Sequence, residues 1–173
     1  MLKGKTVVLG VTGSIAAYKI ANLASMLVKK GCSVHVIMTR NATNFINPIT
    51  FETLTGHKCL VDTFDRNFEF SVEHVSLAKQ ADIFMVAPAS ANVIGKIAGG
   101  IADDMLSTVI SATKSPVFFA LAMNVNMYEN PILLENIEKL KKYNYNFIES
   151  DEGFLACNVN AKGRLKNEAE IVE

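Results

Sequence analysis

The sequence has no tryptophan, only three cysteines and only four prolines in 173 residues. Cys32, Cys59 and Cys157 are odd in number and far apart, so we expect no disulfide framework. No apolar run reaches the roughly 18 to 20 residues that a membrane-spanning helix needs, and no segment resembles a cleavable leader. We therefore expect a cytoplasmic protein that does not associate with membranes.

The sequence also lacks a net charge. Lysine and arginine together number 17, as do aspartate and glutamate, so nothing steers the chain towards nucleic acid or anionic membranes. Half of the residues are hydrophobic and only 20% are charged, which at this length predicts one domain over residues 1–173. The mean hydropathy of +0.24 without a membrane-spanning run indicates buried contacts between subunits. We expect a homo-oligomer that binds a small molecule.

Apolar strands alternate with amphipathic helical segments along the chain. This pattern predicts an α/β fold: a single doubly wound parallel sheet, Rossmann-like or flavodoxin-like, with helices on both faces. Residues 44–55 are predicted as a loop with a short helix, residues 62–73 as irregular, and residues 165–173 as a tail or the start of a junction. No regular structure is expected beyond residue 149. The predicted strands are residues 6–11, 33–39, 83–88, 117–122 and 146–149, and the predicted helices are residues 15–30, 76–81, 93–112 and 131–143.

Ligands of such sheets bind at the carboxyl ends of the strands. Gly13 and Ser14 follow the first strand and open a helix, a position that suits a phosphate. The glycine spacing is incomplete for a dinucleotide, and Thr39 and Arg40 follow the second strand where an NAD site needs an acidic residue. A mononucleotide phosphate fits better. An NADP site using Arg40 and a tight turn without any ligand are the alternatives.

Residues 87–106 read APASANVIGKIAGGIADDML and connect a buried strand to a helix. Small side chains here let the backbone approach a ligand, while Ser90 and Asn92 supply hydroxyl and amide groups. This segment predicts a cradle for a flat polar ligand. Asp103 and Asp104 follow two glycines, so we expect them to cap a second helix rather than to act in catalysis.

Three residues are candidates for chemistry. His74 lies at an element boundary where an imidazole base can face a pocket, whereas His35 and His57 are interpreted as structural. The Asn124 amide follows an apolar strand and can hold a carboxylate. Cys157 lies in a predicted mobile flap, residues 151–165. Its thiol either reaches the ligand pocket when the flap moves or is exposed and has no role in the chemistry. No metal-ligand spacing and no hydrolase nucleophile motif is present.

Five motifs occur in an order that resembles the homo-oligomeric flavin-containing cysteine decarboxylases, and among them the branch that acts on phosphopantothenoylcysteine in coenzyme A biosynthesis. The resemblance covers nearly the whole chain. The motifs are GSIAAYK from Gly13, HVSLAK from His74, PASANVIGKIAGG from Pro88, AMNVNM from Ala122 and ACNVNAKGRL from Ala156.

The resemblance implies FMN as cofactor, no metal, and a cycle in which FMN oxidises the substrate thiol, carbon dioxide leaves the thioaldehyde and the enethiolate is re-reduced. It makes His74 the catalytic base, Asn124 the group that holds the carboxylate and Cys157 the proton donor. Asn124 also counts among the implied substrate contacts, with Met127, Ala156, Lys162 and Arg164. The implied FMN contacts are Gly13, Ser14, Ile15 and Thr39 for phosphate and ribityl, and Ser90, Ala91, Asn92, Val93 and Ala122 for the rest.

The same resemblance implies a homotrimer, or a higher assembly of trimers, and a phosphopantothenate–cysteine ligase as a fused domain or separate protein. Related peptidyl-cysteine decarboxylases stop at the enethiol and do not need Cys157. A non-enzymatic flavin-binding regulatory subunit is a second alternative and a flavin prenyltransferase a third. The flap departs from the family pattern at Asn158, Val159 and Ala161, where glycine, aspartate and glycine are usual.

Overall fold

The computed structural model describes residues 2–64, 73–154 and 160–173. Its strands are β1 (Thr6–Val11), β2 (Ser33–Met38), β3 (Ile83–Ala89), β4 (Val117–Leu121), β5 (Asn146–Ile148), β6 (Asp151–Phe154) and β7 (Asn160–Arg164). Its helices are α1 (Ala17–Lys29), α2 (Pro48–Thr55), α3 (Glu73–Gln80), α4 (Ala91–Ala98), α5 (Met105–Ala112), α6 (Val125–Tyr128), α7 (Pro131–Lys142) and α8 (Glu168–Val172), with a 3₁₀ turn at Ala42–Asn44.

Five parallel strands form the main sheet in the order β2-β1-β3-β4-β5. Alternate residues of β1 enter different cores: Val7 and Leu9 pack with α1, α2 and α8, whereas Val8 packs with α3, α4, α5 and α7. Helices therefore cover both faces, which confirms the predicted fold class. The strand order reverses between β1 and β3, and in open α/β sheets this switch point opens a crevice at the carboxyl ends.

The predicted helix over residues 93–112 is wrong, because two helices occupy it. Gly99 and Gly100 end α4, and Gly100 has a φ of +71° that favours glycine. Asp104 then caps α5: its carboxylate accepts a hydrogen bond from the Ser107 backbone N–H at 2.7 Å, and the Ser107 hydroxyl lies 3.2 Å from the Asp104 backbone N–H. The expected cap is thus confirmed for Asp104, whereas Asp103 pairs with Lys96 at 2.7 Å.

Regular structure continues beyond residue 149, contrary to expectation. Strands β6 and β7 form an antiparallel hairpin, and α8 packs against α1 with Ile171 and Val172 only 6% exposed. The expected tail over residues 165–173 is therefore packed on the domain, with Leu165, Ile171 and Val172 in the hydrophobic core. In the described part of the chain, none of the helices combines the length and the apolar character that spanning a bilayer requires.

Two histidines stack on each other beside strand β2. The ring centroids of His35 and His57 are 4.1 Å apart, and the His57 Nδ1–H donates to the Val34 carbonyl at 2.9 Å. Burial, and then the neighbouring His57, lower the pKa of His35. Both side chains have structural partners and neither lines a cavity among the described residues, consistent with their interpretation as structural.

We expect the free energy of unfolding to fall as the pH drops from about 7 to about 5. Because the pKa of His35 is lowered in the folded state, the unfolded chain binds this proton more readily. The contribution of His35 to the free energy of unfolding is therefore fully present above the ordinary histidine pKa and is lost as the pH falls below it. His35→Phe keeps a ring beside His57 and removes the titration. Denaturant unfolding of both proteins across this range measures the effect. An unchanged pH dependence in the variant contradicts it.

Candidate functional site

A buried hydroxyl ties together the carboxyl ends of β1 and β3. Thr12 is 1% exposed, and its Oγ1 donates to the Pro88 carbonyl at 2.5 Å and accepts from the Ser90 N–H at 3.1 Å. This link places the turn after β1 beside the start of α4. The two segments that the sequence singled out as ligand sites are therefore held together at the switch point of the sheet.

The turn between β1 and α1 is shaped for a close backbone approach. A Cβ on Gly13 would lie 2.6 Å from the Asn41 Cβ and 3.3 Å from the Asn41 carbonyl carbon, so only glycine fits against the loop after β2. Helix α1 has no side-chain cap, although the Ser14 Oγ accepts from the Ala16 N–H just before it at 3.3 Å. Together the cradle and the uncapped helix start suit a phosphate.

Two adjoining cavities open at this edge, with volumes of about 750 Å³ and about 690 Å³. We call them the hairpin cavity and the α4 cavity. Gly13, Ser90 and Met127 line both, so the two lie side by side. The predicted residues in the hairpin cavity are Gly13, Ser14, Ile15, Ser90, Ala91, Ala122, Asn124, Met127 and Arg164, and those in the α4 cavity are Gly13, Thr39, Ser90, Asn92, Val93 and Met127.

Charged groups at the α4 cavity are mostly paired. Lys96 Nζ binds Asp104 at 2.9 Å as well as Asp103, and Arg40 binds Asp62 at 2.6 Å. Burial tends to raise the pKa of Asp104, but hydrogen bonds from Ser107 and Lys96 hold it below its usual range. Because Asp62 engages Arg40, the structure gives little support to an NADP site on that arginine.

The amide of Asn124 lies in the hairpin cavity at the start of α6. Its Oδ1 accepts from the Asn126 N–H at 2.9 Å, which caps the helix and fixes the orientation of the amide. Residues after β1, β3 and β4 thus meet in one cavity, as the sequence predicted from the ends of the parallel strands.

The hairpin of β6 and β7 forms another wall of this cavity. The Met123 N–H, just beyond β4, donates to the Gly163 carbonyl at 3.0 Å. Lys162 pairs with Glu152 and Arg164 pairs with Asp151, so Gly163 is the extra residue of a bulge. Arg164 lines the hairpin cavity, but Lys162 does not: its Nζ lies 5.8 Å from the Tyr128 ring centre and 3.9 Å from Glu149.

Three predicted residues lie partly or wholly outside the described part of the structure. Ala156 and Cys157 are not described, and the side chain of His74 is not described either. The backbone of His74 lies in the first turn of α3. Helices of parallel α/β units begin at the carboxyl edge of the sheet, so this turn lies at the same edge as the cavities.

The hairpin cavity also includes residues that the sequence did not single out. Tyr18 and Lys19 lie in the first turn of α1, four residues after Ser14 and Ile15. In the predicted helix over residues 15–30 this spacing places Lys19 on the face of Ile15, which could have revealed it. Phe45 enters from the loop before α2, where no sequence pattern marked it. No group of three metal-ligating side chains occurs among the described residues.

A sequence model of the family described as Flavoprotein matches residues 1–173. The chain belongs to the flavoprotein family. This flavoprotein is 54% identical over 173 residues to the coenzyme A biosynthesis bifunctional protein CoaBC of Borreliella burgdorferi, covering all of the chain and 44% of that relative. The chain thus spans less than half the length of this relative. It is 42% identical to a probable phosphopantothenoylcysteine decarboxylase of Streptococcus mutans, covering 98% of the chain and 96% of the relative.

Solved structures share the fold of this flavoprotein. A PPC decarboxylase mutant complexed with pantothenoylaminoethenethiol has a TM-score of 0.86 at 26% identity, with 98% of this chain and 94% of that chain covered. The FMN-dependent cysteine decarboxylase SpaF has a TM-score of 0.87 at 28% identity, with 99% and 95% covered. These similarities confirm the resemblance to flavin-containing cysteine decarboxylases that the sequence motifs indicated.

Proposed function

We propose that this chain is an FMN-dependent decarboxylase that converts 4′-phosphopantothenoylcysteine to 4′-phosphopantetheine in coenzyme A biosynthesis. The observation that carries the proposal is the hairpin cavity, where the Gly13 turn, the Asn124 amide and the Arg164 guanidinium lie together. The cradle at Gly13 suits the phosphate of a cofactor. The neutral amide of Asn124 suits the carboxylate that leaves, and the Arg164 cation suits an anionic substrate. The names of the similar proteins support the same reaction.

The residues at the cavities fit FMN. The backbone N–H groups of Gly13 and Ile15 and the hydroxyls of Ser14 and Thr39 would hold the phosphate and ribityl chain, since the uncapped start of α1 and the Gly13 cradle leave room there. When bound, FMN supplies the removal and return of an electron pair at the substrate carbon that bears sulfur. The residues that would lie along the flavin ring are Ser90, Ala91, Asn92, Val93 and Ala122.

Three residues of the chain would handle protons and charge. His74 would accept the proton released from the substrate as oxidation begins, in the role of a general base. Asn124 would hold the carboxylate through its amide and orient it for departure as carbon dioxide. Cys157 would deliver a proton during the final reduction. The substrate would also contact Met127, Ala156 and Lys162. Ala156 and Lys162 belong to the proposed flap over residues 151–165.

We further propose that residues 1–173 form a single flavoprotein domain that assembles as a homotrimer or as a higher assembly of trimers. Ile15, Tyr18, Phe45 and Met127 are 46% to 60% exposed and surround the hairpin cavity, so a neighbouring subunit would bury apolar surface and cover the site. The relatives named as bifunctional support a phosphopantothenate–cysteine ligase as a fused domain or partner protein. A biosynthetic role of this kind favours the cytoplasm.

The experiment compares two substrates with the purified FMN-loaded protein: 4′-phosphopantothenoylcysteine and a peptide that ends in cysteine. We expect a saturated thiol product from the first substrate, and Cys157→Ser should release the enethiol from it instead. Mass spectrometry of the products distinguishes the two. Turnover of the peptide alone identifies a peptidyl-cysteine decarboxylase, and turnover of neither with FMN bound identifies a regulatory flavoprotein.

A further inference from the structure

The hairpin cavity contains two cations that no described residue neutralises. Lys19, half-buried on α1, and Arg164, at the end of β7, both line it. Neither forms an ion pair within residues 2–64, 73–154 and 160–173. No acidic residue lies among the described residues that line this cavity, so it presents positive charge to whatever binds there.

Two acidic residues close to Arg164 in the chain or across the hairpin form ion pairs with lysines. Asp151 is its partner across the hairpin, yet the Asp151 carboxylate pairs with Lys166 at 3.8 Å. Glu149 lies 3.9 Å from the Lys162 ammonium. Arg164 therefore lines the cavity without an ion pair to either of these two carboxylates. A guanidinium without a carboxylate partner can donate several hydrogen bonds to one group that has several acceptor oxygens, above all a phosphate.

Gly153 explains how Arg164 reaches the cavity. A Cβ at position 153 would lie 2.9 Å from Arg164 Cδ and 3.1 Å from Nη1, so the arginine side chain runs directly over the glycine backbone. Any larger residue at 153 would push the guanidinium away from this course. Gly153 has no left-handed φ, so its small size, rather than its backbone freedom, is what lets the Arg164 side chain follow this course.

The cations do not suit the carboxylate that is lost. A cation on that carboxylate would stabilise the charged ground state more than a transition state in which the charge leaves the oxygens, and would slow decarboxylation. Asn124, which is neutral, lines the same cavity and suits that end of the substrate. Lys19 and Arg164 are then available to bind an anionic group at the end of the substrate opposite this carboxylate.

We infer that Lys19 and Arg164 form the subsite for the phosphate of the substrate, with Gly153 as the positioning residue that holds Arg164 there. This inference rests on the proposed function, because it assigns the phosphate end of that substrate. The contacts of Lys19 and Arg164 with the phosphate would then supply binding energy for the substrate, while Asn124 and the flavin act on its cysteine end.

The test compares 4′-phosphopantothenoylcysteine with dephosphorylated pantothenoylcysteine as substrates of the FMN-loaded protein. The measured quantity is kcat/KM for the phosphorylated substrate divided by kcat/KM for the dephosphorylated one. We expect Arg164→Ala and Lys19→Ala each to reduce this ratio by about 10- to 100-fold, which corresponds to the loss of one charged hydrogen bond. The change should reside in KM. Gly153→Ala should give the same loss, and the Gly153→Ala/Arg164→Ala double variant should lose no more than Arg164→Ala alone.

Lys114→Ala is the matched control, because it removes one exposed positive charge from the loop before β4, at the opposite edge of the sheet. It should leave the ratio unchanged. Equal loss for both substrates in the cavity variants would overturn the inference, since the residues would then be merely structural. Selective loss of FMN, with riboflavin binding intact, would also overturn it by assigning the cations to the cofactor phosphate.

A binding measurement separates this inference from the proposed function. Titration of the flavin absorbance with 4′-phosphopantetheine and with pantetheine needs no turnover. Tighter binding of the phosphorylated compound, lost in Arg164→Ala, supports the subsite even where neither substrate reacts. Equal binding of both compounds by the unaltered protein overturns the subsite even where decarboxylation occurs.

Discussion

Asn124→Asp should lower kcat/KM for decarboxylation by about 1,000-fold, because like charges brought together cost several kcal/mol. The aspartate oxygen can still accept the Asn126 N–H that caps α6, so the fold and FMN binding should be retained. What changes is the group that meets the substrate: a carboxylate cannot donate a hydrogen bond, and it repels the carboxylate that must bind. Steady-state release of carbon dioxide, with FMN content measured in the same sample, gives the result.

Asn130→Asp is the matched control for that variant. Asn130 caps α7 in the same way, with its Oδ1 accepting from the Ile132 N–H at 2.9 Å, and it does not line either cavity among the described residues. It makes the same chemical change at another helix start, so activity should stay within about twofold of the unaltered protein. Similar losses in both variants would contradict a specific role for Asn124.

Gly13→Ala should weaken FMN binding by about 10- to 100-fold. The new Cβ would lie 2.6 Å from the Asn41 Cβ, and because the adjacent contact is backbone, the turn itself must move. Overpacking of this kind costs roughly 1 to 3 kcal/mol, and opening the turn to relieve it spreads the N–H groups that would hold the phosphate. Fluorescence titration of the apoprotein with FMN measures the affinity.

Gly95→Ala makes the same substitution where a Cβ meets no heavy atom within 4 Å, inside helix α4. FMN affinity should be unchanged, and stability should be equal or up to about 1 kcal/mol higher, because alanine favours a helix over glycine. Unaltered FMN binding in Gly13→Ala would show that the turn after β1 does not hold the phosphate.

The main sheet and the edge at which the cavities open were predictable because of how parallel strands are buried. Strands covered on both faces appear as short continuous apolar runs, and the polar residues after them must then meet at one edge. Ser90 and Asn124 could be placed together on this ground alone. The split of residues 93–112 was signalled by Gly99 and Gly100, but the apolar periodicity on either side hid it.

The hairpin could not be predicted in the same way. Most described residues of β6 and β7 are polar or exposed, so no alternating apolar pattern marks them as strands. Lys162 and Arg164 are two residues apart and would share one face of a regular strand. The bulge at Gly163 breaks this rule and gives them different neighbours, which only the three-dimensional register reveals.

The most direct test of the proposed function is the mass of the product formed when the FMN-loaded protein is incubated with 4′-phosphopantothenoylcysteine in the absence of oxygen. We predict a product that has lost carbon dioxide and nothing else, formed over many turnovers without any added oxidant or reductant, because the electron pair removed from the substrate is returned to it. Unchanged substrate in the presence of fully bound FMN, or a product that has also lost two hydrogen atoms, would contradict the proposed reaction.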